Sequence, residues 1–247
     1  MKQFLFVPGW IKQPDDARDV PYTMRMEGKK LPVKMDLLAK MPPVFDQGNL
    51  GSCTANAGAA ALYAVATPNK FAPVPSRLYL YYYIRDLIHQ ISNDSGGYIR
   101  DIFKAANRNG CASESVWPYD IYKFAVTPSS QAKTEAAQHP ALKYEAVPQD
   151  INAAKDCLAS GFPICFGMTL LSNFMKIGKN GKMPMPAGVE LGGHATCIIG
   201  YDNRRKAFLV RNSWGADWGW NGNYWLPYSI FESTDYCDDF WTCKLVG

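Results

Sequence analysis

The clearest pattern in the chain begins at Ser52. Cys53-Thr-Ala-Asn-Ala-Gly-Ala-Ala-Ala-Leu-Tyr-Ala-Val-Ala66 is apolar on nearly every side and is closed by Thr67-Pro68. It predicts a buried helix with Ser52 at its N-cap and Cys53 in its first turn. Ser76 to about Gln90 predicts a second helix, and Ile99, Ile102, Phe103 and Ala106 fall on one face of a third, which Gly110 stops. The rhythm changes after the polar, proline-flanked segment Thr127–Pro140. Leu142–Val147 alternates, Ile151–Ser160 predicts a short helix capped by Gly161, and Phe162–Leu170 is a continuous apolar run. Ala195–Tyr201, Ala207–Asn212 and Asn223–Leu226 predict three successive strands, the first two joined by a turn at Asp202-Asn203. A helical half packed on a β half follows, with a cleft where they meet.

Residues 1–30 fit neither half. Prolines at Pro8, Pro14 and Pro21, the charged stretch Asp15-Asp16-Ala17-Arg18-Asp19 and the lack of any sustained period predict an extended arm. Such a segment, with Trp10 but no core of its own, must dock on something or stay disordered.

Composition narrows the class. Apolar residues make up 47% and charged ones 19% of 247 residues, which excludes a disordered chain and allows one large domain or two modest ones. The net charge of +4 is scattered, so neither a nucleic acid nor an anionic membrane is an expected partner. No apolar run approaches the roughly 18 residues of a spanning helix. The opening Phe4-Leu5-Phe6-Val7 is broken by Pro8-Gly9, too short for a secretory core. A cytoplasmic protein, or one secreted after trimming or by another route, is compatible with that. Seven cysteines without a C-x-x-C pair and only three histidines make a metal site an unexpected feature, and no cofactor is expected. Cys111, Cys157, Cys165 and Cys197 are expected as buried thiols. Cys237 and Cys243 flank an aromatic stretch read as a turn and could bridge.

Cys53 carries the sharpest chemical signal. A thiol in the first turn of a helix meets the positive end of the helix dipole and unpaired N–H groups, both of which favour thiolate. The approach Asp46-Gln47-Gly48-Asn49-Leu50-Gly51-Ser52 is turn-rich, and Gln47 stands six residues upstream. Its amide and the Cys53 N–H could together hold an oxyanion, each donor lowering a barrier by roughly 3 kcal/mol. His194 lies among small neighbours in Leu191-Gly192-Gly193-His194-Ala195, read as the start of a strand, and suits a general base. Asn212, eighteen residues on, is one hairpin out and back, so its amide oxygen can accept the imidazole N–H. A neutral amide suffices if the resting pair is thiolate and imidazolium. Trp214 would shelter that hydrogen bond.

Gln47, Cys53, His194 and Asn212-Ser-Trp-Gly, followed by Gly-Ala-Asp-Trp-Gly-Trp-Asn-Gly-Asn-Tyr ending at Tyr224, resemble the papain-like cysteine peptidases over about Leu31 to Phe231. The resemblance implies an α+β, two-lobed fold: a helical left lobe, about 45–130, and an antiparallel β-barrel-like right lobe, about 140–235. It implies hydrolysis of peptide bonds in a peptide or protein substrate by a monomer. Gly96-Gly97 would bind the substrate backbone, Tyr98 would join the pocket for the second residue before the scissile bond, and Gly193 would floor it with an uncharged surface. Two positions depart from the family: Thr54 replaces the usual Trp after the nucleophile, and Ser95 replaces a half-cystine. The stretch Gly51-Ser-Cys-Thr-Ala-Asn-Ala57 resembles prokaryotic and viral members. Three functions remain open: general peptidase, narrow-specificity amidase or effector protease, and a silent peptide-binding homologue whose groove the arm fills.

Overall fold

In a computed structural model the described residues are 7–26, 28, 30–66, 73–138 and 142–245. The expected helix stop at Thr67-Pro68, the apolar residues Phe4–Phe6, His139 and Pro140 lie outside them. The alanine-rich segment forms α1 (Cys53–Ala66), buried over most of its length. Small side chains let its neighbours approach closely: a Cβ on Gly58 would collide with Ile102 of α3 (Ile99–Asn109). Ser52 stands at the N-cap position, and its carbonyl accepts the Asn56 N–H at 3.0 Å. Its hydroxyl turns sideways to Tyr119 Oη, 2.5 Å away. α2 (Arg77–Leu87) starts where Ser76 Oγ accepts the Tyr79 N–H at 3.1 Å. α3 ends at Gly110, whose φ of 65° is the left-handed value that favours glycine.

The segment Thr127–Pro140 contains an element absent from the sequence reading. α4 (Ser130–Ala136) is capped by Ser129, whose Oγ accepts the Ala132 N–H at 3.2 Å, and buries Ala132 and Ala136 against Tyr79. Seven polar-rich residues carry too little period to announce a helix. α5 (Ile151–Ala159) follows the short strand β2 (Leu142–Ala146) as expected.

The strands form one antiparallel sheet of order β2-β7-β3-β4-β5-β6, with β1 (Lys34–Asp36) pairing beside β4. β3 is Ile164–Leu171, β4 Glu190–Asp202, β5 Ala207–Arg211, β6 Asn223–Pro227 and β7 Cys237–Leu245, with a short helix α6 (Tyr228–Phe231) before β7. Two expectations are corrected here. β4 begins at Glu190, so His194 lies inside a strand, not at its start; Gly192 and Gly193, poor strand formers, pair with Leu170 and Thr169 of β3. Cys237 and Cys243 do not flank a turn: they stand six residues apart on β7, roughly 20 Å at the strand rise, and both are free thiols. β7 is bulged, because Cys165 pairs with Trp241 and Gly167 with Asp238, leaving one extra residue on β7. Asp239 sits in that bulge with φ 56°.

α1 packs on β4 and β7 on one side and on α2 and α3 on the other, so one apolar core spans helices and sheet. The architecture is α+β, with helices packed on an antiparallel sheet.

The arm runs over this body. The Ala146 N–H donates to Val20 O and the Tyr22 N–H to Ala146 O, at 2.8 and 2.7 Å, a strand-like contact on the edge of β2. The fully buried Asp156 carboxylate of α5 accepts from Tyr22 Oη at 2.6 Å and from the backbone N–H groups of Arg25 and Met26 at 2.8 and 2.7 Å. Arg25 also pairs with Glu145 at 2.5 Å, and Arg100 of α3 with Asp19 at 2.7 Å. Gln13 Oε1 accepts the Arg100 N–H at 3.0 Å, capping the α3 N-terminus that Tyr98 leaves without a side-chain cap.

Because three donors converge on one buried carboxylate, Asp156→Ala is expected to cost about 3–5 kcal/mol in urea unfolding, and Tyr22→Phe about 1–2 kcal/mol. A smaller loss for Asp156→Ala than for Tyr22→Phe would contradict this account of how residues 20–26 are held.

Candidate active site

Cys53 opens α1 at the seam between helices and sheet, fully buried. Its Sγ lies 3.3 Å from the backbone N–H of Ala195, the residue after His194, which donates to it. The loop before it is held from both sides. Gln47 N–H donates to Ser213 O at 2.8 Å, Ser213 Oγ donates to Gln47 Oε1 at 2.6 Å, and Tyr119 Oη donates to Gln47 O at 2.8 Å. Gln47 Nε2 gives one hydrogen to Leu50 O at 3.0 Å. Leu50 O can only accept, so a flipped amide would face it with an oxygen, and the nitrogen keeps its position.

His194 and Asn212 meet as the hairpin reading expects: Nε2 to Oδ1 is 2.8 Å, both side chains buried. Asn212 Oδ1 also receives the Ser213 backbone N–H at 2.8 Å. A backbone N–H can donate only to the oxygen, which fixes the amide orientation. The histidine nitrogen facing that oxygen must therefore be the donor. In the neutral imidazole the lone pair then resides on Nδ1. Trp214 packs on the imidazole, ring centroids 4.9 Å apart, and is itself braced by Phe174 and Trp218.

Two glycine pairs line the groove above these groups. Gly96 has φ 73°, and its N–H donates to Tyr81 Oη at 3.1 Å; Tyr81 in turn donates to Asp94, whose carboxylate accepts the Gly51 N–H at 2.9 Å. Asp94 thus ties the loop ahead of Cys53 to the Gly96-Gly97 loop, a role with no sequence signal because the partners are 43 residues apart. Gly97 lacks room for a side chain because a Cβ would strike Ile84. Tyr98, half-buried, precedes α3 at its N-cap, and Gly193 lies one residue before His194 on β4.

The arm crosses this groove. Gly9 N–H donates to Gly193 O at 3.0 Å, Gly97 N–H to Gly9 O at 2.9 Å, and Ile11 N–H to Gly97 O at 3.2 Å. Trp10 and Gly97 form a parallel bridge. A Cβ on Gly9 would lie 2.9 Å from Cys53 Sγ and would collide with Gly51 O, so only glycine fits over the thiol. The Trp10 ring rests against Gly167 and Gly193, and its Nε1 donates to Asp239 Oδ2 at 2.8 Å. Lys12 pairs with Asp238 beside it.

Burial works against the resting ion pair that the sequence leads one to expect. Loss of water pushes the Cys53 thiol up to about 12, against the backbone N–H groups of Ala195, Thr54 and Cys53 itself that pull it down. The same desolvation lowers His194 to about 4, opposed by its bond to Asn212. With the arm in place, burial pushes both groups toward their neutral forms. Among the described residues no cluster of His, Cys, Asp and Glu could hold a metal ion.

A thiol at the start of a helix, a histidine whose tautomer is fixed by an asparagine, and a buried glutamine amide in the loop before the thiol are groups that suit a cysteine hydrolase. Residues 31–235 match the papain family of cysteine proteases, and the chain belongs to that family. It is 37% identical to an uncharacterised peptidase C1-like protein of Acanthamoeba polyphaga mimivirus, over 96% of this chain and 86% of that protein. Xylellain, a cysteine protease from Xylella fastidiosa, superposes with a TM-score of 0.88 at 36% identity, covering 97% of this chain and 96% of its own. The bromelain protease of Ananas comosus, at 21% identity, shares the fold with a TM-score of 0.69 over 87% of this chain and 100% of its own. The protein is thus a papain-family cysteine peptidase.

Each pKa unit is a tenfold change in thiolate at fixed pH. Cys53 of the full chain is therefore expected to react with iodoacetamide at pH 7 at least ~10-fold more slowly than in Gly9→Val, where the arm cannot seat over the thiol. The Gly9→Val rate should also begin to rise at lower pH. Equal rates and equal pH onsets, read by peptide-level mass, would contradict a covered, neutral thiol.

Proposed function

We propose that Cys53 is the nucleophile of peptide-bond hydrolysis and that the arm is a built-in inhibitor which must move aside for substrate to enter. The observation that carries the reading is the fixed His194–Asn212 pair on the strand whose next residue donates to Cys53 Sγ. When the arm leaves, water and substrate dipoles replace the dry contact of Gly9, and the desolvation that keeps both groups neutral is relieved. The thiol proton passes to Nδ1 of His194. The sulfur then adds to the carbonyl carbon, and the oxyanion is met by the second hydrogen of Gln47 Nε2 and the Cys53 N–H. The imidazolium gives its proton to the departing amine, leaving a thioester. Neutral His194 next takes a proton from water, whose oxygen attacks the thioester, and returns that proton as the thiol is released. Asn212 holds the imidazole through both passes, and Trp214 keeps water from that bond.

Gly96, Gly97 and Gly193 supply backbone groups to an extended substrate, with Tyr98 beside the neighbouring side-chain pocket. The arm uses those groups in a parallel sense. Gly97 bonds Gly9 O and Ile11 N–H, which flank Trp10, whereas an antiparallel chain would exchange both bonds with one residue. An arm that runs the opposite way to such a substrate lays its amides over Cys53 with reversed polarity, which accounts for an inhibitor that is not consumed.

On peptide substrates, Cys53→Ala is expected to abolish turnover with little loss of stability. His194→Ala should lower the rate by about 10²- to 10⁴-fold, and Asn212→Ala by less. Trp10→Ala in the full chain should raise the initial rate. A deeper loss from Asn212→Ala than from His194→Ala, in folded protein, would overturn the orienting role. Unchanged rates in Trp10→Ala would favour the silent, groove-filled reading.

A further inference from the structure

We infer that the outer edge of β6 carries a second binding site, outside the cleft, which takes an acidic peptide segment of a partner protein through Lys176 and Lys182. The site is independent of the peptidase reading, since binding there needs no turnover. Arg211 of β5 pairs with Asn223 beside Asn212, whereas Ala207 pairs with Pro227 at the far end of the same ladder, roughly 13 Å away at the strand rise. A hollow of about 800 Å³ opens against Pro227. Met183, Pro184, Met185 and Pro227 give it apolar walls, Lys176 and Lys182 add charge, and neither a carboxylate nor an arm residue lines it. It is therefore open while the arm covers Cys53.

Backbone contacts hold this shape. Asn173 Nδ2 donates to Met185 O at 2.7 Å and Asn173 Oδ1 accepts the Ala187 N–H at 3.0 Å, so the loop is clipped around Met185 while that side chain stays 61% exposed. Gly181 O accepts the Trp225 N–H at 2.8 Å and Trp225 O the Met183 N–H at 3.3 Å, which occupies the outer edge of β6 at that residue. The next outward residue, Pro227, has no N–H, so a foreign strand gains no ladder there and recognition falls to side chains. The charged ones are mostly cations. Lys176, Lys179 and Lys182 come from the segment after β3, and Arg204, Arg205 and Lys206 from the turn after β4. Lys182 bridges to Trp225, and the Arg205 guanidinium lies 4.7 Å from the centroid of the Trp225 ring, so the two segments flank one tryptophan. Lys179 donates to the backbone oxygen of Asp217, and Asp202, 8% exposed, is paired with Arg205 at 3.8 Å. Cations around adaptable methionine walls suit an occupant of opposite charge that also brings an aliphatic side chain. An acidic peptide supplies both. A nucleic acid offers phosphates but little for the methionines, and a sugar acid stacks on an open aromatic face that these walls lack.

The test uses the full chain with Cys53→Ala and a fluorescein-labelled peptide in which glutamates flank one leucine, read by fluorescence anisotropy. Turnover plays no part, so failure of the peptidase reading leaves the result unaffected. Adding Lys176→Glu with Lys182→Glu is expected to raise Kd at least ~10-fold. Lys123→Glu with Lys133→Glu, on the helical side, changes the net charge equally and should raise it by no more than about threefold. Exchange of the peptide leucine for serine should raise Kd at least ~5-fold. Trp10→Ala should leave Kd unchanged, because the peptide does not enter the cleft. An equal loss from both lysine pairs, an indifferent leucine, tighter binding in Trp10→Ala, or no saturable binding overturns the proposal. So does heparin or polygalacturonate that binds through Lys176 and Lys182 where the acidic peptide does not.

Discussion

Close approach of two backbones, allowed only where side chains are missing, governs the groove of this protein. Gly9 of the arm passes between Gly51 and Gly96 on the helical side, and Trp10 lies on Gly167 and Gly193 on the sheet side. A Cβ at any of these positions meets the opposing chain. The hydrogen bonds from Gly9 to Gly193 and from Gly97 to Gly9 then join β4 to the loop before α3 through the arm. Farther along, the arm caps α3 with Gln13 and satisfies the buried Asp156 of α5. The segment with no core of its own therefore borrows partners from several elements of the body.

The same contact sets the chemistry. A thiol at a helix N-terminus receives N–H groups that favour its anion, yet complete burial raises Cys53 and lowers His194, each toward its neutral form. Reactivity is then a question of hydration. What the fold fixes is orientation: Asn212 sets the imidazole tautomer, Leu50 O sets the Gln47 amide, and Asp94 ties the two loops of the helical side together.

Much of this was legible in the sequence because its signals are local. The alanine-rich run, the strand periods around Ala207 and Asn223, and the Gln47, Cys53, His194 and Asn212 motifs each declare themselves within a short window. What escaped depends on distant partners. β4 extends back to Glu190 because Gly192 and Gly193 find β3, a pairing that strand propensity argues against. The stretch Cys237–Cys243 looks like an aromatic turn until β2 and β3 flank it. Asp239 gave no sign of facing the groove, since a single-residue bulge changes which way a side chain points without leaving a motif. The burial that opposes an ion pair at Cys53 and His194 was hidden for a similar reason: the arm that supplies it is distant in sequence.

Amide hydrogen exchange on the full chain at pH 7 tests the central claim, that residues 9–13 are paired into the groove, most directly. The account predicts that the amides of Gly9, Trp10, Ile11, Gln13 and Gly97 exchange slowly and lose protection together when Gly9→Val unseats the arm. Exchange of residues 9–13 at unstructured rates in the unmodified chain, with the sheet still protected, would contradict it.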